Sequence, residues 1–104
     1  MSQTDKAQRF RKLHEGPDVV VLPNAWDAAS ARLFEAAGFP AVGTTSAGIS
    51  YARGRQDGQS LSRADMLREV QAIVTAVGVP VNADIEAGYG DAPDGVAQTV
   101  REFA

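Results

Sequence analysis

Ala36-Ala37-Gly38-Phe39-Pro40-Ala41-Val42 and Ala76-Val77-Gly78-Val79-Pro80-Val81-Asn82 share one layout: a helix end, a glycine, an apolar residue, a proline and the start of a strand. Glycine readily takes the left-handed turn that closes a helix, and proline cannot continue one, so each stretch predicts a helix running into a strand. A repeated helix-to-strand unit implies right-handed crossovers and a parallel sheet.

The flanking segments supply the other elements. Val19-Val20-Val21-Leu22 is an apolar run between turn residues and predicts a first strand covered on both faces, closed by Pro23-Asn24. Asn24 or Asp27 can cap a helix reaching Ala37, with Ala29, Leu33, Ala36 and Ala37 on one face. Residues 41–45 read as the second strand. Ser62-Arg63-Ala64-Asp65 is an acidic form of the capping box, opening a helix through Met66, Val70, Ile73, Val74 and Val77, and residues 79–84 form the third strand. A leading helix spans about 4–14 through Ala7, Phe10 and Leu13; His14 lies in it, away from every strand end, where a surface role is favoured. A last helix starts near Pro93 or Asp94 and carries Val96, Val100 and Phe103. Pattern alone leaves open a doubly wound sheet or part of a barrel. Since the chain stops at Ala104 without a glycine cap or another strand, residues 1–104 are expected to be a single partial domain. It would be the front of a larger protein, or would depend on another copy of itself.

Composition narrows the function. With 44% hydrophobic and 22% charged residues, the 104-residue chain falls in the range of globular domains. The net charge is −3 and the basic residues are scattered, so no basic face points to nucleic acid. No cysteine is present, which excludes a disulfide scaffold, a thiolate zinc site and a cysteine nucleophile within these residues. Residues 1–15 lack the apolar core of a secretory signal, and no stretch is long enough to span a membrane, so a cytoplasmic location is expected.

In parallel α/β folds, sites are built at the C-terminal ends of strands. After the third strand stands Asp84-Ile85-Glu86-Ala87-Gly88-Tyr89-Gly90. In an extended backbone Asn82, Asp84 and Glu86 would share one face. Two neighbouring carboxylates need a compensating cation or hydrogen-bond donors. Metal or substrate binding is therefore favoured over a solvated strand end. Hard cations such as Mg²⁺ are satisfied by one or two such acids with waters and substrate oxygens. After the second strand, Thr44-Thr45-Ser46-Ala47-Gly48 either holds an anionic group in a small-residue turn or is an ordinary tight turn. It is not a P-loop, since the Gly-Lys-Ser/Thr ending is absent. The long loop 49–61 carries Tyr51, Arg53, Arg55 and Asp57; its arginines are either solvated or paired with an anionic substrate. Pro23-Asn24-Ala25-Trp26-Asp27 reads as structural, and its lack of Gly-x-Gly-x-x-Gly argues against a dinucleotide site.

Together these residues resemble the isocitrate lyase and phosphoenolpyruvate mutase superfamily, through Leu22-Pro23-Asn24-Ala25-Trp26-Asp27, Gly38-Phe39, Thr45-Ser46-Ala47-Gly48, Asp57 and Asp84-Ile85-Glu86-Ala87-Gly88-Tyr89-Gly90. The resemblance implies an α/β fold in which this chain is the N-terminal part, about three βα units, of a TIM-type (β/α)₈ barrel. It also implies an Mg²⁺ cofactor, with Mn²⁺ as a substitute, small 2-oxo or 2-hydroxy acid substrates, and a homo-oligomer in the complete protein. By position, Asp84 and Glu86 would bind the metal, Ser46, Ala47 and Gly48 the substrate carboxylate, and Asp57 would orient metal waters. The implied activity is lyase cleavage of a C–C bond through a pyruvate-type enolate, with the truncated chain itself inactive. Alternatives are phosphoenolpyruvate or phosphonopyruvate mutase or hydrolase chemistry, or a non-catalytic α/β interaction module with a degenerate site. Two residues depart from the family pattern: Glu86 stands where Asp is common, and Ala47 where Gly is frequent. The cysteine-bearing loop of the family's lyases would follow a fourth strand, beyond Ala104.

Overall fold

The computed structural model describes residues 1–104. In chain order it contains α1 (Gln3–Leu13), β1 (Asn24–Ala25), α2 (Ala28–Ala36), β2 (Val42–Thr44), α3 (Ser46–Ala52), α4 (Arg63–Ala76), β3 (Val81–Asn82) and α5 (Pro93–Phe103). The three strands form one parallel sheet in the order β1-β2-β3, with Asn24 opposite Gly43 and Gly43 opposite Asn82. β1 and β3 each directly follow a proline, and both prolines serve the ladder. Pro23 accepts from the Gly43 N–H at 2.9 Å and Pro80 from the Val42 N–H at 3.0 Å. A proline loses no ladder bond at a strand's first position, where only its carbonyl is needed.

The sheet is two-faced. Val42 and Thr44 point into the core between the sheet and α2 and α4, where Met66, Val70 and Ile73 also lie. The row Asn24, Gly43, Asn82 points the other way, and the Asn24 amide lies where a Gly43 side chain would stand, its Oδ1 2.4 Å from an ideal Cβ. Gly43 is therefore required by close approach.

Two predicted features are corrected. The first strand lies at Asn24–Ala25 and not at 19–22, and Val19 is 88% exposed, so the apolar run is not covered on both faces. β1 pairs only with β2, which leaves this run at the sheet edge with no neighbour to bury it. On α2, Leu33 is 71% exposed and the inward residues are Ser30, Ala31 and, in part, Phe34. The cap sets this phase: Asp27 accepts from the Ser30 N–H at 2.7 Å while the Ser30 hydroxyl serves the Asp27 N–H at 3.2 Å, locking the first turn with Ser30 inside. Phe34 then stacks edge-on between Trp26 and Phe39, an aromatic anchor that the alanine face cannot match.

Glu35, on the same helix, joins the two repeated units. Its Oε2 accepts from the N–H groups of Gly78 at 2.6 Å and Val79 at 3.2 Å, while Arg32 reaches the Ala76 carbonyl at 3.3 Å. The backbone polar groups at the end of α4 are thus satisfied from α2.

Replacing fully buried Ile73 by alanine leaves a cavity between the sheet and α4, and is expected to lower unfolding free energy by about 3 kcal/mol. Leu33→Ala is expected to change it by less than about 0.5 kcal/mol, both read by urea denaturation.

Candidate functional site

Past Asn82 the β3 chain leaves the ladder, and its polar groups are taken up by the end of β2. The Asp84 N–H donates to Thr44 Oγ1 at 2.9 Å. In return the Ser46 hydroxyl donates to Asp84 Oδ2 at 2.8 Å, with the Ser46 N–H at 3.4 Å, and the Glu86 N–H donates to Oδ1 at 3.0 Å. The carboxylate therefore stands at the meeting of two strand ends, exposed on its remaining side. Burial alone would raise its pKa, but the donors from Glu86 and Ser46 outweigh that and hold it below the ordinary value.

Thr44-Thr45-Ser46-Ala47-Gly48, read from sequence as a turn, is instead a strand end running into a helix. Thr45 is the N-cap of α3 and accepts from the Gly48 N–H at 3.1 Å. Ser46, Ala47 and Gly48 form the first helical turn, with Ser46 buried against Asp84. α3 continues to Ala52, so the connection to α4 is shorter than predicted. Gly48 has no room for a side chain: a Cβ would come within 2.6 Å of Thr45 and 3.1 Å of Trp26.

Glu86 does not continue the alternation that would have set it beside Asn82 and Asp84. Its φ is 55°, a left-handed turn that carries its side chain toward the loop before α4. There its carboxylate accepts from the N–H groups of Gly58 at 3.2 Å and Gln59 at 3.0 Å, and from the Tyr89 hydroxyl at 3.2 Å. Tyr89 donates its own N–H to Gln59 Oε1 at 2.9 Å. Desolvation and the Glu86 charge push the Tyr89 phenol far above its ordinary pKa, so it remains a donor. Asp57 opens the turn that Glu86 holds; it is exposed and its side chain makes no hydrogen bond. Arg53 is engaged with Asp65 and Glu69, both at 3.8 Å, and Arg55 with the Ser60 carbonyl at 3.3 Å, so both arginines serve the loop and its junction with α4.

The structure thus brings Ser46, Asp84 and Glu86 into one bonded chain, with Asp57 on the turn beside it. Thr44 and Tyr89 stood inside the motifs read from sequence without roles of their own, whereas Gln59 was missed, and so was Thr99 on α5, which is fully buried and donates to the Gly88 carbonyl at 2.6 Å. The legible signal for Thr99 was its hydroxyl one turn after Gly95 on a helix otherwise read by its valines; Val100, expected inside, is exposed.

A family model described as phosphoenolpyruvate phosphomutase matches residues 10–104. The chain belongs to the phosphoenolpyruvate phosphomutase family. It is 40% identical over 98 residues to 2,3-dimethylmalate lyase of Eubacterium barkeri, covering 93% of this chain and 34% of that protein. It is 35% identical over 102 residues to 2-methylisocitrate lyase of Bacillus subtilis, covering 98% and 34%. A crystal structure from Burkholderia cenocepacia J2315, described as a lyase/mutase, superposes with a TM-score of 0.93 at 46% identity, over 97% of this chain and 36% of that one. The chain thus spans about a third of the length of the curated relatives it matches. Among the relatives it matches are these two lyases and a phosphoenolpyruvate phosphomutase of Streptomyces hygroscopicus, all named for small organic acids.

Against this phosphomutase-family background, the donor set limits what could sit at Asp84. No group of three or more His, Cys, Asp or Glu side chains is gathered anywhere in the chain. A carboxylate offers about four lone-pair directions, and Asp84 keeps an open side, whereas both Glu86 oxygens already accept. Asp84 fits a cation that takes one carboxylate and fills its remaining positions with waters and substrate oxygens, as Mg²⁺ does.

Because the folded pKa of Asp84 is depressed, its contribution to stability is present above the usual aspartate value of 3.8 and is lost as pH falls through the lower folded value. Asp84→Asn is therefore expected to melt with a shallower loss of stability below pH ~4 than the unaltered chain, in thermal scans across pH.

Proposed function

We propose that the protein acts as a Mg²⁺-dependent lyase that cleaves a C–C bond in small 2-hydroxy or 2-oxo acids through a pyruvate-type enolate, in the manner of its lyase relatives. The observation that supports this most is the Asp84 carboxylate, held ionised at the joined ends of β2 and β3 by Ser46 and the Glu86 N–H. The three βα units then belong to a (β/α)₈ barrel whose strand ends share one mouth. A cytoplasmic, homo-oligomeric enzyme goes with this reading.

Asp84 would hold Mg²⁺, or Mn²⁺ in its place. When bound, the metal supplies Lewis-acid stabilisation of negative charge on the α-oxygen of an enolate. The remaining work falls to the chain. Ser46, Ala47 and Gly48, at the start of α3, would receive the substrate carboxylate, the Ser46 hydroxyl and the Gly48 N–H being shared with Asp84 and Thr45. The Ser46 hydroxyl also keeps Asp84 oriented and deprotonated, so the acid is ready before substrate enters. Asp57, free of other partners, orients water at the same mouth. Gly48 lets Thr45 and Trp26 approach the start of α3 closely, which fixes the helix start beside Asp84.

A panel of 2-methylisocitrate, 2,3-dimethylmalate, oxaloacetate and phosphonopyruvate, assayed on the complete protein with Mg²⁺, tests the reading. A lyase releases pyruvate from methylisocitrate or propionate from dimethylmalate; turnover of phosphonopyruvate alone would replace the lyase proposal with a mutase or hydrolase. Asp84→Asn is expected to lower kcat/KM by at least about a hundredfold, and Ser46→Ala by about ten- to a hundredfold through loss of the Asp84 hydrogen bond.

A further inference from the structure

Glu86 is held in a conformation that a non-glycine residue adopts only where its surroundings over-determine it. Gln59 at φ 58° and Tyr89 at φ 57° are left-handed as well, next to Gly58 at 94° and Gly88 at 89°. These strained residues lie in two loops, 57–59 and 86–89, that are separate in sequence and joined through one carboxylate. Glu86 Oε1 accepts from the N–H groups of Gly58 and Gln59, Oε2 accepts from Gln59 at 3.1 Å and from the Tyr89 hydroxyl, and the Tyr89 N–H closes the ring on Gln59 Oε1. Neither the Gly58 nor the Gln59 N–H has another acceptor. Hydrogen bonds to an ionised acceptor are the strong ones, and consecutive left-handed N–H groups form a concave nest suited to an anion. Here the anion filling the nest is part of the chain.

We propose that Glu86 is a positioning residue: its carboxylate clasps the 57–59 turn, which carries Asp57, to the segment after β3, while the cation is held without Glu86 as a direct ligand. The second half rests on the metal reading above; the clasp stands on the hydrogen bonds alone. The length of Glu86 fits this role, because an aspartate on the same backbone would end one methylene short of the nest.

Two measurements on the full chain decide it: hydrogen exchange at the Gly58 and Gln59 amides, and Mn²⁺ titration by calorimetry. Glu86→Ala is expected to speed exchange at both amides by about tenfold or more, while Mn²⁺ affinity changes by less than about threefold, short of the loss expected when a ligand's own partner is removed. Asp84→Asn is expected to do the reverse, abolishing Mn²⁺ binding while both amides stay protected. Glu86→Gln keeps one oxygen acceptor and is expected to restore part of the protection, whereas Glu86→Asp is not. If Glu86→Ala does not fold, Glu86→Gln and Glu86→Asp carry the comparison by themselves. Unchanged exchange in the Glu86 variants would overturn the clasp. Loss of Mn²⁺ binding in Glu86→Ala to the degree seen in Asp84→Asn would overturn the claim that the cation is held without it. If the unaltered chain binds no Mn²⁺, the metal reading and the second half of the proposal fall together, and amide exchange still decides the first.

Discussion

A strand that leaves its ladder must find new partners for its backbone, and in this chain that requirement falls on the residue after Ala83. The Asp84 N–H finds Thr44 Oγ1, and the Asp84 side chain in turn receives the Ser46 hydroxyl. The two bonds run in opposite directions between the same strand ends, so each side chain that serves the other's backbone or carboxylate also fixes the spacing of β2 and β3. Thr44 is buried and Asp84 is not, which places the joint at the boundary between core and mouth. α3 starts from this joint, and so does the turn that carries Glu86.

The repeated helix-to-strand layout made the parallel order legible, although only Gly38 takes the left-handed turn (φ 98°), while α4 is ended by an extended Val77 and Gly78 is not left-handed. Burial phase was less legible. In α2 the alanine and leucine face had the helical period but lost to the face set by the Asp27–Ser30 cap and by Phe34 between two aromatic rings. The run at 19–22 had strand composition, yet strand composition specifies cover only when a neighbour exists on each side, and β1 has one. In α5 a threonine went inside ahead of a valine, because the Gly88 carbonyl needed a donor more than the core needed a methyl group.

The site was legible as a set of residue types and not as a geometry. Ser46 and Asp84 could be named from the strand-end rule, but their bond could not, since it depends on the register that sets Gly43 against Asn82. The anion-holding turn proved to be a helix start because Thr45 offers a cap that its sequence shares with many loop threonines. Arg53 and Arg55 could be read as solvated or as substrate partners, and only the fold shows that Asp65 and Glu69 of α4 take Arg53 while the Ser60 carbonyl takes Arg55.

Period-two alternation failed at Glu86 for a reason that bears on the chemistry. Alternation holds while the backbone is extended, and a single residue at φ 55° ends it, so two acids spaced like a strand-borne pair come to serve different neighbours. Asp84 looks to β2 and solvent; Glu86 looks to the 57–59 turn. Two carboxylates brought to one cation need that cation to offset their repulsion, whereas two carboxylates each supplied with their own donors do not. The chain has taken the second arrangement, with Ser46 and the Glu86 N–H serving one acid and Gly58, Gln59 and Tyr89 the other. Both carboxylates are therefore supplied with donors by the chain itself, and Asp84 is the one left facing solvent.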